Sequence, residues 1–185
     1  MVTGGTGSRV RPIVSCKGTT CQYGLIDTFG ISEEIHEKFY NSYYDVKLPH
    51  KFKIGVGGCP NNCIKPDLND LGVVGQLIPN FDEDFCNGCR KCPVEDICPM
   101  DAAKVVDGVL QIDRDVCNNC GRCVGKCHFD AIEDGKVGYK IYLGGRWGKR
   151  VGRGIPLSKI FSTKEEVMDV IEKAILLDKE QGKPG

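Results

Sequence analysis

The sequence has no run of 18 or more apolar residues, so it holds nothing long enough to cross a membrane as a helix. Its first ten residues, Met1 to Val10, are rich in Gly and Thr and lack an apolar core, which is unlike a secretory signal. Charge of either sign is not in surplus: 25 Lys and Arg face 25 Asp and Glu, and this balance gives no indication of nucleic-acid binding. A nucleotide P-loop is missing too. Gly144 to Lys149 departs from the G-x4-G-K-[ST] spacing, and no Ser or Thr follows the lysine. The opening GGTG (Gly4 to Gly7) is too slight to mean phosphate binding.

What the chain has in excess is cysteine, 12 in 185 residues, against an otherwise ordinary background of 41% hydrophobic and 27% charged residues. A disulfide scaffold requires an oxidising compartment, and nothing here suggests export. Zinc sites present two cysteines per loop. This chain twice presents three in succession, as iron–sulfur loops do. A reducing cytoplasm is therefore the expected location.

The cysteines fall into three groups. Cys16 and Cys21 come first, Cys59 and Cys63 follow a helical stretch, and eight more lie between Cys86 and Cys127. The surrounding pattern predicts an α+β domain from residues 1–80 and 136–185, interrupted by an inserted module over 81–135. Strands are expected at Arg9 to Ser15, Lys51 to Val56, Leu71 to Ile78, Lys136 to Leu143 and Val151 to Leu157. A helix is expected over Asp27 to Tyr44, with Phe29, Ile31, Ile35, Phe39 and Tyr43 near one face and an acidic, cappable turn at Ser32, Glu34 and Glu37. A closing helix over Thr163 to Leu177 turns Val167, Val170, Ile171, Ala174 and Leu177 to one side. The polar tail from Lys179 to Gly185 is expected to fray.

Cys86, Cys89 and Cys92 form C-x2-C-x2-C, followed by Cys98 and a proline. Cys117, Cys120 and Cys123 repeat it, followed by Cys127. This region resembles a bacterial two-cluster ferredoxin. In that pattern three thiolates from one loop and a fourth from the other motif hold each cubane. The resemblance implies Cys86, Cys89, Cys92 and Cys127 for one cluster, and Cys117, Cys120, Cys123 and Cys98 for the other. Gly88 and Gly121 are expected to relieve crowding in these loops. The first motif departs in having five residues before Cys98, and the second in having His128 in place of proline.

Four cysteines remain. Cys16-x4-Cys21 and Cys59-x3-Cys63, the latter in GGCPNNC, resemble the cluster motifs of siroheme-binding sulfite and nitrite reductases. GLIDT (Gly24 to Thr28) and KPDLND (Lys65 to Asp70) resemble the anaerobic sulfite reductase catalytic subunits, which also carry a ferredoxin insert. The first spacer is one residue shorter than that family's. The resemblance implies a third [4Fe–4S] cluster, with Cys63 bridging to siroheme iron, and reduction of sulfite (or nitrite) with electrons from a donor protein or subunit. It also implies an anion site from Lys51, Lys53 and Arg11, with Arg9 on the same strand face. The alternative for the two lysines is a solvated edge strand. Arg146, Lys149, Arg150 and Arg153 are candidates for the siroheme carboxylates or form an ordinary basic loop, and GGTG is a candidate for the siroheme edge. The resembling enzymes have a further domain before the first motif. A missing N-terminal domain or partner chain is thus expected, and little or no reductase activity from this chain alone. Two rival readings remain: an electron carrier with three clusters and no haem, and a zinc-stabilised interaction module.

Overall fold

The computed structural model describes residues 5–183. In chain order the elements are β1 (Val14–Ser15), α1 (Thr28–Ile35), β2 (Ile54–Gly57), β3 (Leu71–Pro79), α2 (Pro93–Ile97), β4 (Ala103–Val106), β5 (Val109–Ile112), β6 (Gly135–Leu143), β7 (Ile155–Phe161) and α3 (Lys164–Gln181). Two compact units divide the chain: residues 1–75 with 138–185, and residues 76–137.

The sheet runs β1-β2-β3-β6-β7. β1, β2 and β3 are parallel, with Val14 opposite Gly55 and Gly55 opposite Gly72, while β6 and β7 are antiparallel. The alternation in Lys51 to Val56 buries Phe52, Ile54 and Val56. Regular pairing nevertheless begins only at Ile54. The first expected strand shrinks to Val14–Ser15, preceded by a single bridge from Val10 to Phe52. Pro12 explains the gap, because it has no N–H to give the ladder. β7 begins at Ile155 rather than Val151, because residues 144–154 form a loop closed by paired backbone bonds between Arg146 and Gly152.

α1 starts earlier than the acidic turn suggests. Asp27 is its N-cap and accepts from the Gly30 N–H at 3.1 Å. That bond, with the Thr19 hydroxyl, holds the Asp27 carboxyl below its ordinary range. Ser32 lies inside the helix, with its hydroxyl buried and unpartnered. A π-helical turn, His36–Asn41, continues α1 and carries both Phe39 and Tyr40 inward, while Phe29 is exposed. The core of this unit gathers Ile31, Ile35 and Phe39 against Ile54, Val56, Leu71, Val73 and Ile141.

α3 closes the unit through a capping box. Thr163 accepts from the Glu166 N–H, and the Glu166 carboxylate accepts from the Thr163 N–H. Lys159 and the Ser162 N–H also bond Glu166, whose carboxyl is held down to about 2. This stabilisation is present above the ordinary glutamate range and is lost as pH falls toward about 2. The buried face is Val167, Met168, Ile171 and Ile175, and Leu177 faces solvent. α3 runs on to Gln181. Gly182 and Lys183 follow outside it, and the last two residues of the tail, like Gly4 of GGTG, lie outside the described residues. Thr163→Ala is expected to lower the unfolding free energy by about 1 kcal/mol, measured by chemical denaturation.

The second unit holds the β4–β5 hairpin and α2 around Val94, Ala103, Leu110 and Ile132. Its turn, Asp107–Gly108, has positive φ at both residues (52° and 81°), the geometry that suits a two-residue hairpin.

Candidate iron–sulfur centres

Parallel pairing of β1 with β2 sends both chains out at the same end of the sheet, and each then enters a cysteine loop. The Cys16 N–H donates to the Val56 carbonyl at 3.1 Å, and the Gly58 N–H donates to Cys16 Sγ at 3.1 Å. Thr28, fully buried, donates to the Cys16 carbonyl at 2.8 Å and accepts from the Thr19 N–H at 3.1 Å. The Leu25 N–H donates to the Gly58 carbonyl at 2.9 Å. A Cβ on Gly24 would collide with the Gly18 carbonyl. GLIDT is therefore the brace that holds the first cysteine loop against the second.

The result gathers four thiols. Burial pushes the Cys59 thiol up; the Asn61 backbone N–H opposes this, and the neighbouring Cys63, Cys16 and Cys21 add to the rise. Cys63 is exposed, whereas the other three are half-buried.

KPDLND supports the second loop from below. Asp67, 5% exposed, accepts from Asn62 Nδ2 at 2.9 Å and from the Arg153 guanidinium. Asn62 sits between Cys59 and Cys63 with φ 57°. Asp70 accepts from the Lys53 N–H at 2.8 Å, fixing the backbone beside β2. Neither aspartate stands out by sequence pattern as a functional group, because each acts through a backbone or side-chain bond that spacing does not reveal. Asp67→Ala is expected to cost about 2 kcal/mol, since it removes hydrogen bonds to a buried charge. Arg153→Ala costs less than about 1 kcal/mol, because that side chain is 73% exposed. Denaturation midpoints of the two variants check the ranking.

Backbone bonds bring Arg9 and Arg11 beside Lys51 and Lys53: the Arg11 N–H donates to the Phe52 carbonyl at 2.8 Å, and the Phe52 N–H donates to the Arg9 carbonyl at 3.0 Å. Lys51 is exposed and Lys53 half-buried, on either side of Phe52. Arg11 donates to the Gly5 carbonyl, and its Nε is buried without a partner. Arg9 is outside any regular strand; its guanidinium lies 4.0 Å over the Tyr44 ring and its Nε donates to the Thr6 carbonyl at 2.9 Å. Arg146, Lys149 and Arg150 are exposed in the 144–154 loop, whereas Arg153 is engaged by Asp67.

In the second unit a pocket is lined by Cys98, Cys117, Cys120 and Cys123 together with Pro79, Ala102 and Asn118. Burial pushes the Cys123 thiol up to about 11, with Cys117, Cys120 and Cys98 among the neighbours that raise it. Cys86, Cys92 and Cys127 border the small apolar core, and Cys89 is half-buried. The two motifs repeat in backbone as well as in sequence. Gly88 and Asn119, each two residues after the first cysteine, have φ 56° and 54°. Asp101 and Asp130, each three residues after the lone cysteine, have φ 52° and 59°. The motif glycines are crowded by the protein itself: a Cβ on Gly88 would strike the Gly108 carbonyl, and one on Gly121 would meet Leu77.

All 12 cysteines are free thiols. Among the described residues, no three His, Cys, Asp or Glu side chains are placed to hold a single metal ion. Two of the groups, Cys16, Cys21, Cys59 and Cys63, and Cys98, Cys117, Cys120 and Cys123, bring four thiols together, which is the donor chemistry of an iron–sulfur cubane.

The nitrite and sulphite reductase 4Fe-4S domain matches residues 6–182, and the chain belongs to that family. It is 33% identical over 178 residues to a coenzyme F420-dependent sulfite reductase of Methanocaldococcus jannaschii, covering 96% of this chain and 27% of that protein. It is 37% identical over 83 residues to one of the subunits of the anaerobic sulfite reductase of Salmonella typhimurium, covering 44% of this chain and 23% of the relative. The chain thus spans about a quarter of each. The fold matches dissimilatory sulfite reductase I with a TM-score of 0.68 at 24% identity, over 98% of this chain and 48% of that one. No helix among the described residues is long and apolar enough to cross a membrane.

Proposed function

We propose that this chain is the cluster-bearing part of a siroheme-dependent sulfite reductase, and that its second unit is a two-cluster electron relay of the ferredoxin kind. The observation that carries this reading is the quartet Cys16, Cys21, Cys59 and Cys63, three half-buried and one, Cys63, exposed. These four cysteines would hold a cubane, and Cys63, the exposed one, would be the residue that faces a bound siroheme. Siroheme bound at that position supplies the six-electron chemistry that takes sulfite to sulfide.

The chain's own residues position the reactants. Arg11, with an orphaned buried Nε, is suited to an anion, because a buried donor without an acceptor is costly until a ligand supplies one. Lys51 and Lys53 add positive charge for sulfite. Arg146, Lys149 and Arg150 are free for the siroheme carboxylates, while Arg153 holds Asp67. Arg9, stacked on Tyr44, shapes the rim. The charge balance of the units agrees: residues 1–75 and 138–185 hold 18 of the 25 Lys and Arg and 13 of the 25 Asp and Glu. The surplus of cations therefore lies with the unit assigned to anionic ligands. The remaining 7 basic and 12 acidic residues make the relay unit acidic. An electron-donor protein or subunit supplies the relay, and a further domain or chain completes the siroheme pocket.

Iron, acid-labile sulfide and visible spectra of anaerobically purified protein, coexpressed with siroheme synthesis and a candidate N-terminal domain, test the reading. About twelve cluster irons with siroheme bands are expected. Cluster absorbance without siroheme bands assigns a multi-cluster electron carrier instead. Faster turnover of nitrite than of sulfite reassigns the substrate. Iron-free, fully folded protein overturns the reading altogether.

A further inference from the structure

The two cysteine motifs of the second unit are not equivalent in one respect. Each has an asparagine directly after its first cysteine: Asn87 in CNGC and Asn118 in CNNC. Asn87 is exposed. Asn118 is turned inward and lines the same pocket as Cys98, Cys117, Cys120 and Cys123. Its Oδ1 is completely buried and has no hydrogen-bond partner.

An orphaned polar atom in such a place costs on the order of 1–3 kcal/mol unless something in the pocket pairs with it. The oxygen and nitrogen of an asparagine amide exchange places by a half-turn about the last side-chain torsion, and the hydrogen-bond partner decides which way the amide points. Arg122 lines the pocket as well, but in a loaded site the sulfur beside Asn118 would be thiolate and sulfide of the cluster, acceptors with no proton to donate. Only the NH2 end of Asn118 could pair with them.

We infer that Asn118 is a positioning residue that donates an amide hydrogen bond to sulfur of the cluster held by Cys98, Cys117, Cys120 and Cys123, and so sets that cluster's reduction potential above the value its ligands alone would give. The inference rests on the proposed cluster-binding function. Its physical basis is that a donor aimed at cluster sulfur stabilises the more negative, reduced state more than the oxidised one. With Asn87 exposed, the other cluster of this unit lacks the equivalent bond. The asymmetry would separate two potentials that the sequence repeat would otherwise make alike.

Redox titration of the full chain, followed by electron paramagnetic resonance, tests this. Asn118→Leu removes the donor, and Asn118→Asp keeps the shape while replacing the donor with a negative acceptor. Asn87→Leu is the control. One midpoint is expected to move to more negative potential in Asn118→Leu, and further in Asn118→Asp, with all midpoints unchanged in Asn87→Leu. Unmoved midpoints in both Asn118 variants, with full iron content, overturn the inference and leave the cluster assignment standing. Loss of one cluster from both variants makes Asn118 a structural strut and also overturns a tuning role. A wild-type chain that assembles no clusters removes the proposed function instead.

Discussion

Gly58→Val is expected to empty the first unit of its cluster while leaving the second unit loaded. A Cβ at position 58 would lie 2.7 Å from the Gly18 Cα, 3.2 Å from Thr28 Cγ2 and 3.4 Å from Cys16 Sγ. Gly18 meets the same obstacle from the other side, with Thr28 Cγ2 at 2.6 Å and the Gly58 Cα at 2.8 Å. The backbones of the two cysteine loops therefore touch with no room for a side chain, and this closeness brings Cys16 and Cys21 beside Cys59 and Cys63. Valine must push the loops apart. Overpacking of this kind costs about 1–3 kcal/mol in stability, but the larger effect falls on ligand geometry, since a cubane needs all four thiolates together. Iron content should drop by about four of twelve. Gly148→Ala, whose Cβ would meet nothing within 4 Å, should keep its full iron. Full iron in Gly58→Val would mean that the four cysteines do not share a cluster.

The second large effect concerns which cysteines share a cluster in the second unit. Cys98 follows the first motif in sequence yet lines a pocket with Cys117, Cys120 and Cys123. If Cys98 crosses over, Cys98→Ala combined with Cys117→Ala removes ligands from one cluster only, and the double variant retains about eight of twelve irons. Cys98→Ala combined with Cys89→Ala removes ligands from two clusters and retains about four. The logic is that of a double-mutant cycle: changes within one unit of function do not add, and changes in separate units do. The reverse ranking of iron contents would show that each motif binds its own cluster with four successive cysteines.

Much of the secondary structure was legible from pattern. β3 and β6 lie within a residue of their expected bounds, because uninterrupted apolar or alternating runs leave the backbone little choice. α3 begins where Thr163 and Glu166 form their cap. Errors arose where one residue's chemistry overrode the pattern. Pro12 cut the first strand short, and Asp27 capped α1 ahead of the acidic turn at Ser32. The π-helical turn after His36 adds Tyr40 to the inward face beside Phe39, and both are buried.

The sequence alone determined the inventory of thiols and their local grouping: twelve in short loops, in a family built around a [4Fe–4S] centre. That much is set by covalent spacing, since three cysteines two residues apart can scarcely avoid one another. Only the tertiary structure decided which distant groups meet. Asp67 engages Arg153, 86 residues away. Gly18 and Gly58 stack without side chains between them. Asn118 is turned inward while Asn87 faces water. The physical reason is that partners far apart in the chain are chosen by packing and by the cost of leaving buried polar atoms unpaired, and neither quantity exists until the chain has folded.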